Sequence, residues 1–164
     1  MTLTVVLALK ILLLALVANG APIVGKRLLG ERWSLPLDGG LRFVDGRPLL
    51  GPSKTVRGLL LSVLACLVVA PVLGYSWLLG LTFGAATMAG DALSSFLKRR
   101  VNVPSSGRFR GLDQIPEVLV PLWLCKAEFG LDWWSILLLI VLFSAGSLAV
   151  SRLMFRLGVR DRPY

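Results

Sequence analysis

Apolar residues along this chain gather into five runs, about 3–19, 58–73, 76–97, 116–130 and 134–155, separated by segments rich in arginine, glycine and proline. A helix needs roughly 20 apolar residues to cross a bilayer alone. The first, third and fifth runs approach that length, whereas the second and fourth are short for it. Gly74-Tyr75-Ser76 and Gly130-Leu131-Asp132 read as tight turns joining runs two to three and four to five. The pattern predicts an all-α, polytopic membrane protein with about five transmembrane helices. Its 164 residues form one integral-membrane domain on this reading.

Charge then orients the helices. All of the 18 basic residues except Lys10 and Lys126 lie in the 20–57 loop, the 98–115 loop or the C-terminal tail. The positive-inside bias puts those segments and the C-terminus in the cytoplasm and the N-terminus outside. The protein is therefore expected in the cytoplasmic membrane. A net charge of +9 could suit nucleic acid, but orientation and attraction to anionic headgroups explain it, so no nucleic-acid partner is expected. Met1–Val17 lacks the basic start of a signal peptide, and its only cation, Lys10, lies within the apolar run, so a first membrane helix is the better reading. Cys66 and Cys125 lack metal-ligand spacing and read as small buried residues. Histidine is absent, which excludes imidazole as base, nucleophile or metal ligand.

The carboxylates are what orientation leaves unexplained. Asp91, Asp113 and Glu117 fall within or at the cytoplasmic ends of spans three and four, where a charge needs a reason. Asp91, Ser95 and Lys98 share one helix face, with Arg99 beside them. Asp91 reads as a magnesium ligand, with Ser95, Lys98 and Arg99 on phosphate oxygens, or else as the partner of a basic residue on another span. Asp113 and Glu117, four apart, also share a face; Asp113 alone could be a helix N-cap. Gly51-Pro-Ser-Lys54-Thr55-Val-Arg57-Gly58 offers a hydroxyl and two cations at a helix start, which suits phosphate, without Walker A spacing. Asn19 closes the first run, either as a site residue or as a helix stop. In span three, Gly80/Gly84 and Ala86/Gly90 allow another helix or a ligand to approach the backbone closely.

Ala18-Asn19-Gly-Ala-Pro22, Ser53-Lys54-Thr55-Val-Arg57-Gly58, Gly90-Asp91 through Ser95-Phe-Leu-Lys98-Arg99-Arg100, and Leu112-Asp113-Gln114, in this order, resemble the CDP-archaeol synthase family (CDP-2,3-bis-(O-geranylgeranyl)-sn-glycerol synthase). They are more distantly similar to phosphatidate cytidylyltransferases. The resemblance implies a five-span enzyme, with Mg2+ as cofactor, that uses CTP and a lipid phosphate in the bilayer to make a CDP-lipid and pyrophosphate. It implies Asp91 and Asp113 at the metal, Lys54, Thr55, Arg57, Ser95, Lys98 and Arg99 on phosphates, and Asn19 at the nucleotide. The family tends to carry Asp-Gln-x-Asp where this chain has Asp113-Gln-Ile-Pro116, with Glu117 displaced by one residue as a candidate replacement. The His-Gly-Gly segment of the bacterial-type phosphatidate enzymes is absent.

Rival chemistries fit less well. A histidine-dependent membrane phosphatase is excluded, and Asp38-Gly39-Gly40 does not continue as a CDP-alcohol phosphotransferase motif would. From another class, Asp91 could be the cation or proton site of a transporter or of a non-catalytic membrane partner.

Overall fold

The computed structural model of the chain describes residues 3–104 and 114–156, and among them finds helices and turns with no extended strand. In chain order the helices are α1 (Val5–Leu29), α2 (Val56–Val72), α3 (Trp77–Arg100), α4 (Gln114–Leu124), α5 (Lys126–Phe129) and α6 (Trp133–Arg156). Two are long and apolar enough to cross a membrane: α1, and α6 over Trp133–Ser151. The α2 and α4 helices are shorter and apolar. Large apolar side chains point outward along the bundle, among them Val5, Val68, Val72, Trp134 and Val141. A soluble surface would not carry so many, so this is the lipid-facing coat of an all-helical membrane protein.

Polar side chains set the helix ends. Thr4 caps α1 by accepting from the Leu7 amide at 3.2 Å, and Ser76 caps α3 through Leu79 at 3.1 Å. Asp132 accepts from Ser135 at 2.7 Å where α6 begins. This hydrogen bond from Ser135 holds the Asp132 carboxyl below its usual value. Both expected turns form: Gly74 (φ 87°) precedes the Ser76 cap, and Gly130 (φ 63°) ends α5 in the left-handed region.

Two expectations about the helices need correction. The first run does not stop at residue 19: α1 continues to Leu29, with Asn19 and Pro22 inside it. Its true stop is Gly30 (φ 55°), whose amide donates to the Lys26 carbonyl at 3.0 Å, with Lys26 and Arg27 in the last turn facing the negative dipole end. Asn19 is therefore no C-terminal stop; its Nδ2 donates to the Ala15 carbonyl at 3.0 Å. The fourth run is also not continuous. Pro121 lies inside α4, which ends at Leu124, and α5 follows after Cys125.

The helices close on themselves: α1 packs on α2, α2 on α3, α3 on α4, and α6 joins α4 back to α1. Ile11, Leu14, Cys66, Phe83, Leu122 and Leu139 meet in the shared core. The tightest approaches to neighbouring backbone belong to the small residues of α3. A side chain at Gly84 would lie 2.9 Å from the Val63 Cα, and one at Gly90 would overlap the Pro116 carbonyl. The α3 helix is thus wedged between α2 and α4, with Gly90 directly against the first turn of α4.

Charges sort to the two ends of the bundle. At the end where α1 begins, Lys10 donates to the Leu73 carbonyl at 2.6 Å and lies over the Tyr75 ring, and Lys126 lies over the Trp133 ring. At the other end, roughly 21 Å along α3 from Trp77 to Asp91, sit Arg47, Lys54, Arg57, Lys98, Arg99 and Arg100.

Candidate functional site

The site is built where the 30–55 loop meets the last turns of α3. Lys54 reaches Asp91 with Nζ 2.5 Å from Oδ1, each side chain 18% exposed. This is the charge pairing that one reading of Asp91 anticipated. The lysine comes from the loop before α2 rather than from another span. In so apolar a bundle the carboxylate needs a cation, and Lys54 supplies it.

Gly90 carries Asp91 towards α4. Because Gly90 lies against Pro116 and Glu117, the backbones bearing Asp91 and Glu117 run side by side. Glu117 is half-buried in the first turn of α4. Asp113 lies outside the described residues. One turn beyond Asp91, Ser95 is buried, and further on Lys98 and Arg99 are buried despite their charge. Arg99 donates through Nη2 to the Pro104 carbonyl at 2.9 Å. Ser94, next to Ser95, donates to the Asp91 carbonyl at 2.9 Å and so bonds back onto its own helix.

Two residues of the loop-to-α2 segment are occupied with the fold. Thr55 Oγ1 accepts from the Gly58 amide at 3.1 Å and caps α2. Arg57 is buried, and its Nη1 donates to the carbonyls of Gly30 (2.8 Å) and Arg32 (2.5 Å), tying the end of α1 to the start of α2. Of the residues singled out in the sequence, the structure joins Lys54 to Asp91 and sets the Glu117 backbone against Gly90, the residue before Asp91. It places Ser95, Lys98 and Arg99 on the same end of α3 as Asp91, and Arg57 against the α1–loop junction. Asn19 lies within α1, bonded to its own helix.

The loop also holds an acid that the sequence reading considered only to set aside as a phosphotransferase motif. Asp38 is buried, and its carboxylate accepts amides from Gly40 (3.0 Å), Leu50 (2.8 Å) and Gly51 (3.1 Å). Burial pushes this carboxyl up, but the amides of Leu50, Gly40 and Gly51 outweigh it and hold it below its usual value. Asp-Gly-Gly is a turn signature and could have flagged the first of these bonds; the other two span more than ten residues. A hollow of about 200 Å³ lies beside Asp38, lined by Pro36, Arg42, Pro48 and Pro52 among others.

Among the described residues no three Asp, Glu or Cys side chains cluster as a ready-made metal cage. Magnesium does not require one, since it keeps several waters and takes one or two carboxylates plus substrate phosphates. The Asp91 carboxylate, with Glu117 on the adjoining backbone and Lys54 beside Asp91, is a donor set that fits that ion.

A family model described as CarS-like CDP-archaeol synthase matches residues 72–164. The CDP-archaeol synthase of Sulfurisphaera tokodaii is 32% identical over 167 residues, spanning 98% of this chain and 96% of the relative. That of Thermofilum pendens is 34% identical over 158 residues, spanning 92% and 76%. A solved structure, described as an intramembrane enzyme for archaeal membrane lipids biosynthesis, superposes with a TM-score of 0.73 at 27% identity. The match spans 87% of this chain and 91% of the other.

Proposed function

This chain belongs to the CDP-archaeol synthase family, and from that footing we propose how its residues carry out the family's reaction. The protein is a membrane cytidylyltransferase. It transfers the cytidylyl group of CTP to a lipid phosphate, giving a CDP-lipid and pyrophosphate. The transporter and non-catalytic readings of Asp91 give way to this one. The acceptor, in our reading, is the phosphate of an archaeal-type ether lipid, on the strength of the relatives' name.

An oxygen of the lipid phosphate attacks the α-phosphorus of CTP, a new P–O bond forms, and the bond to the β-phosphate oxygen breaks with pyrophosphate leaving. A phosphate monoester loses its second proton at about pH 6, so the nucleophile is already anionic and no imidazole base is needed. Lys54, Lys98 and Arg99 neutralise the charge that spreads over the transferring and leaving oxygens. Asp91 and Glu117 would hold Mg2+, joined by Asp113, and the ion would supply further charge neutralisation on the CTP phosphates. Arg57 and Thr55 serve the same site from behind, by fixing the α1–α2 junction and the helix start from which Lys54 projects. Asn19 lines the nucleotide side in this reading.

We further read α1, α2, α3, α4–α5 and α6 as five spans, with the N-terminus outside and the C-terminus in the cytoplasm. The site then opens to the cytoplasmic side of the cytoplasmic membrane, where CTP is made available. The separation of charge supports it: Lys10, bonded to the Leu73 carbonyl, and Lys126, over the Trp133 ring, lie at one end, and the arginine-rich loop and α3 terminus crowd the other.

The observation that carries the assignment of residues is the Lys54–Asp91 pair, a half-buried carboxylate in an apolar bundle met by a cation from the basic loop. Its test is incorporation of label from CTP into lipid by purified protein in mixed micelles with an archaeal-type ether lipid phosphate. Asp91→Asn should lower turnover by about a hundredfold or more while the protein still folds and inserts. Undiminished CTP-dependent labelling in that variant would remove Asp91 from the mechanism.

A further inference from the structure

The loop that carries Lys54 does not simply hang from α1 and α2; it grips the end of α3. Arg100 donates through Nη1 to Asp45 and through Nη2 to the Pro48 carbonyl, each at 2.6 Å. Its guanidinium lies beside the Phe43 and Phe96 rings, 4.7 Å and 4.9 Å from their centroids, and the two rings are themselves edge to face. The grip is reciprocal, because Arg47 of the loop donates through Nη1 to the carbonyls of Arg99 and Arg100 at the exposed end of α3. Nine residues separate Asp91 from Arg100, which sets them roughly half a turn apart around the helix. The loop therefore straddles α3, with Arg100 held on one side and Lys54 delivered to Asp91 on the other.

A continuous set of bonds joins the two sides. Residues 41–49 form a hairpin through Phe43 to Arg47 (2.8 Å) and Leu49 to Leu41 (2.8 Å). Asp38 fastens its base by accepting from Leu50 and Gly51. Leu37 then donates to the Lys54 carbonyl at 2.7 Å, and Val56 to the Leu35 carbonyl at 3.0 Å. Each Nη group of Arg100 donates to the loop, and its guanidinium packs beside two rings, so the side chain is held by the loop through two bonds and an aromatic contact.

We propose that Arg100 is a positioning residue for cytidylyl transfer: by clasping the 41–49 hairpin to the end of α3, it holds Lys54 against Asp91. The inference rests on the site reading given above, in which Lys54 serves the phosphates. Charge at position 100 matters only through the geometry it imposes on the loop, and the lysine is the group that reports it.

The first readout is independent of turnover. Full-length protein in detergent is treated briefly with an amine-acylating reagent, and modification is followed residue by residue by mass spectrometry. In Arg100→Ala the Lys54 amine should react about tenfold faster, the equivalent of losing one charge-assisted hydrogen bond, while exposed Lys26 stays unchanged. Asp45→Ala removes the acceptor of Arg100 Nη1, opens the clasp from the loop side and should do the same, which keeps the test valid if Arg100→Ala folds poorly. The second readout is a double-mutant cycle in the CTP assay. Arg100→Ala alone should lower kcat/KM for CTP by about ten- to a hundredfold, but by less than about twofold once Lys54 is alanine. Unchanged Lys54 reactivity in both variants, or losses that multiply, would overturn the positioning role. A Lys54→Ala protein with full activity would instead sink the site reading itself, and the two failures are thereby told apart.

Discussion

Replacing Gly90 by alanine tests how closely α3 and α4 must approach for the acids to work together. The added Cβ would lie 2.6 Å from the Pro116 carbonyl carbon and 3.0 Å from the Glu117 Cα. Non-bonded carbons rest at about 3.5–4.0 Å, so α4 would have to retreat by roughly 1 Å. The obstructing atoms are backbone, and no side chain can rotate to make room. Inside a helix, alanine is favoured over glycine by about 1 kcal/mol, so any net destabilisation must come from that contact. Overpacking of this kind costs about 1–3 kcal/mol, which outweighs the helical gain over most of its range. The catalytic effect should be larger, since misplacing a reacting group by about 1 Å can lower rates on the order of a hundredfold. Gly146→Ala in α6 is the matched control, because nothing lies within 4 Å of its added methyl. Thermal unfolding in detergent should rank Gly146→Ala at or above wild type and Gly90→Ala below it. The CTP-to-lipid assay should separate the two by about two orders of magnitude. If Gly90→Ala keeps wild-type stability and turnover, Asp91 and Glu117 do not depend on this contact, and their joint role is refuted.

Two further outcomes follow from the loop. Thr55→Ala should cost about 1 kcal/mol of stability through loss of the α2 cap, whereas Thr55→Ser keeps the oxygen; equal melting of the two would show that the Gly58 bond contributes nothing. The Asp38 carboxyl is held below its usual 3.8, so its contribution is present above that pH and is lost as pH falls through the lower folded value. Asp38→Asn should therefore be less stable than wild type above about pH 4 and converge with it on acidification, as read by melting temperature against pH. A constant gap between the two proteins would mean that the charge of Asp38 is not what the amides hold.

Much of the fold could be read from hydropathy because a bilayer forces its segments to be helical and apolar. The turns at Gly74 and Gly130 were legible for a local reason, since both glycines take positive φ beside a capping Ser76 or Asp132. The end of α1 was not. Asn-Gly-Ala-Pro looks like a stop by propensity, yet Asn19 bonds back to Ala15 and the helix runs ten residues further, to Leu29. The first turn of α2 packs against this stretch at Pro22: a side chain at Gly58 would lie 3.5 Å from the Pro22 Cβ. Tertiary contact overrode local preference, and no window of sequence contains that contact.

The site divides along the same line. The shared helix face of Asp91, Ser95 and Lys98 follows from spacing alone, but the partner of Asp91 lies 37 residues away in a loop. That loop has no periodicity from which its path could be read. Its course is set by Asp38 closing on Leu50 and Gly51 and by the Arg47 and Arg100 bonds, each a long-range match between a side chain and a particular carbonyl or amide. Arginines 47 and 100 looked in the sequence like members of an orienting basic excess. Their bonds instead fasten the loop to the end of α3. This explains how a segment outside the apolar runs can place Lys54 as firmly as a helix places Asp91. The physical requirement behind it is general: a charge-neutralising site must fix its cations before the reaction, because cations that reorganise during it give back much of the stabilisation they offer.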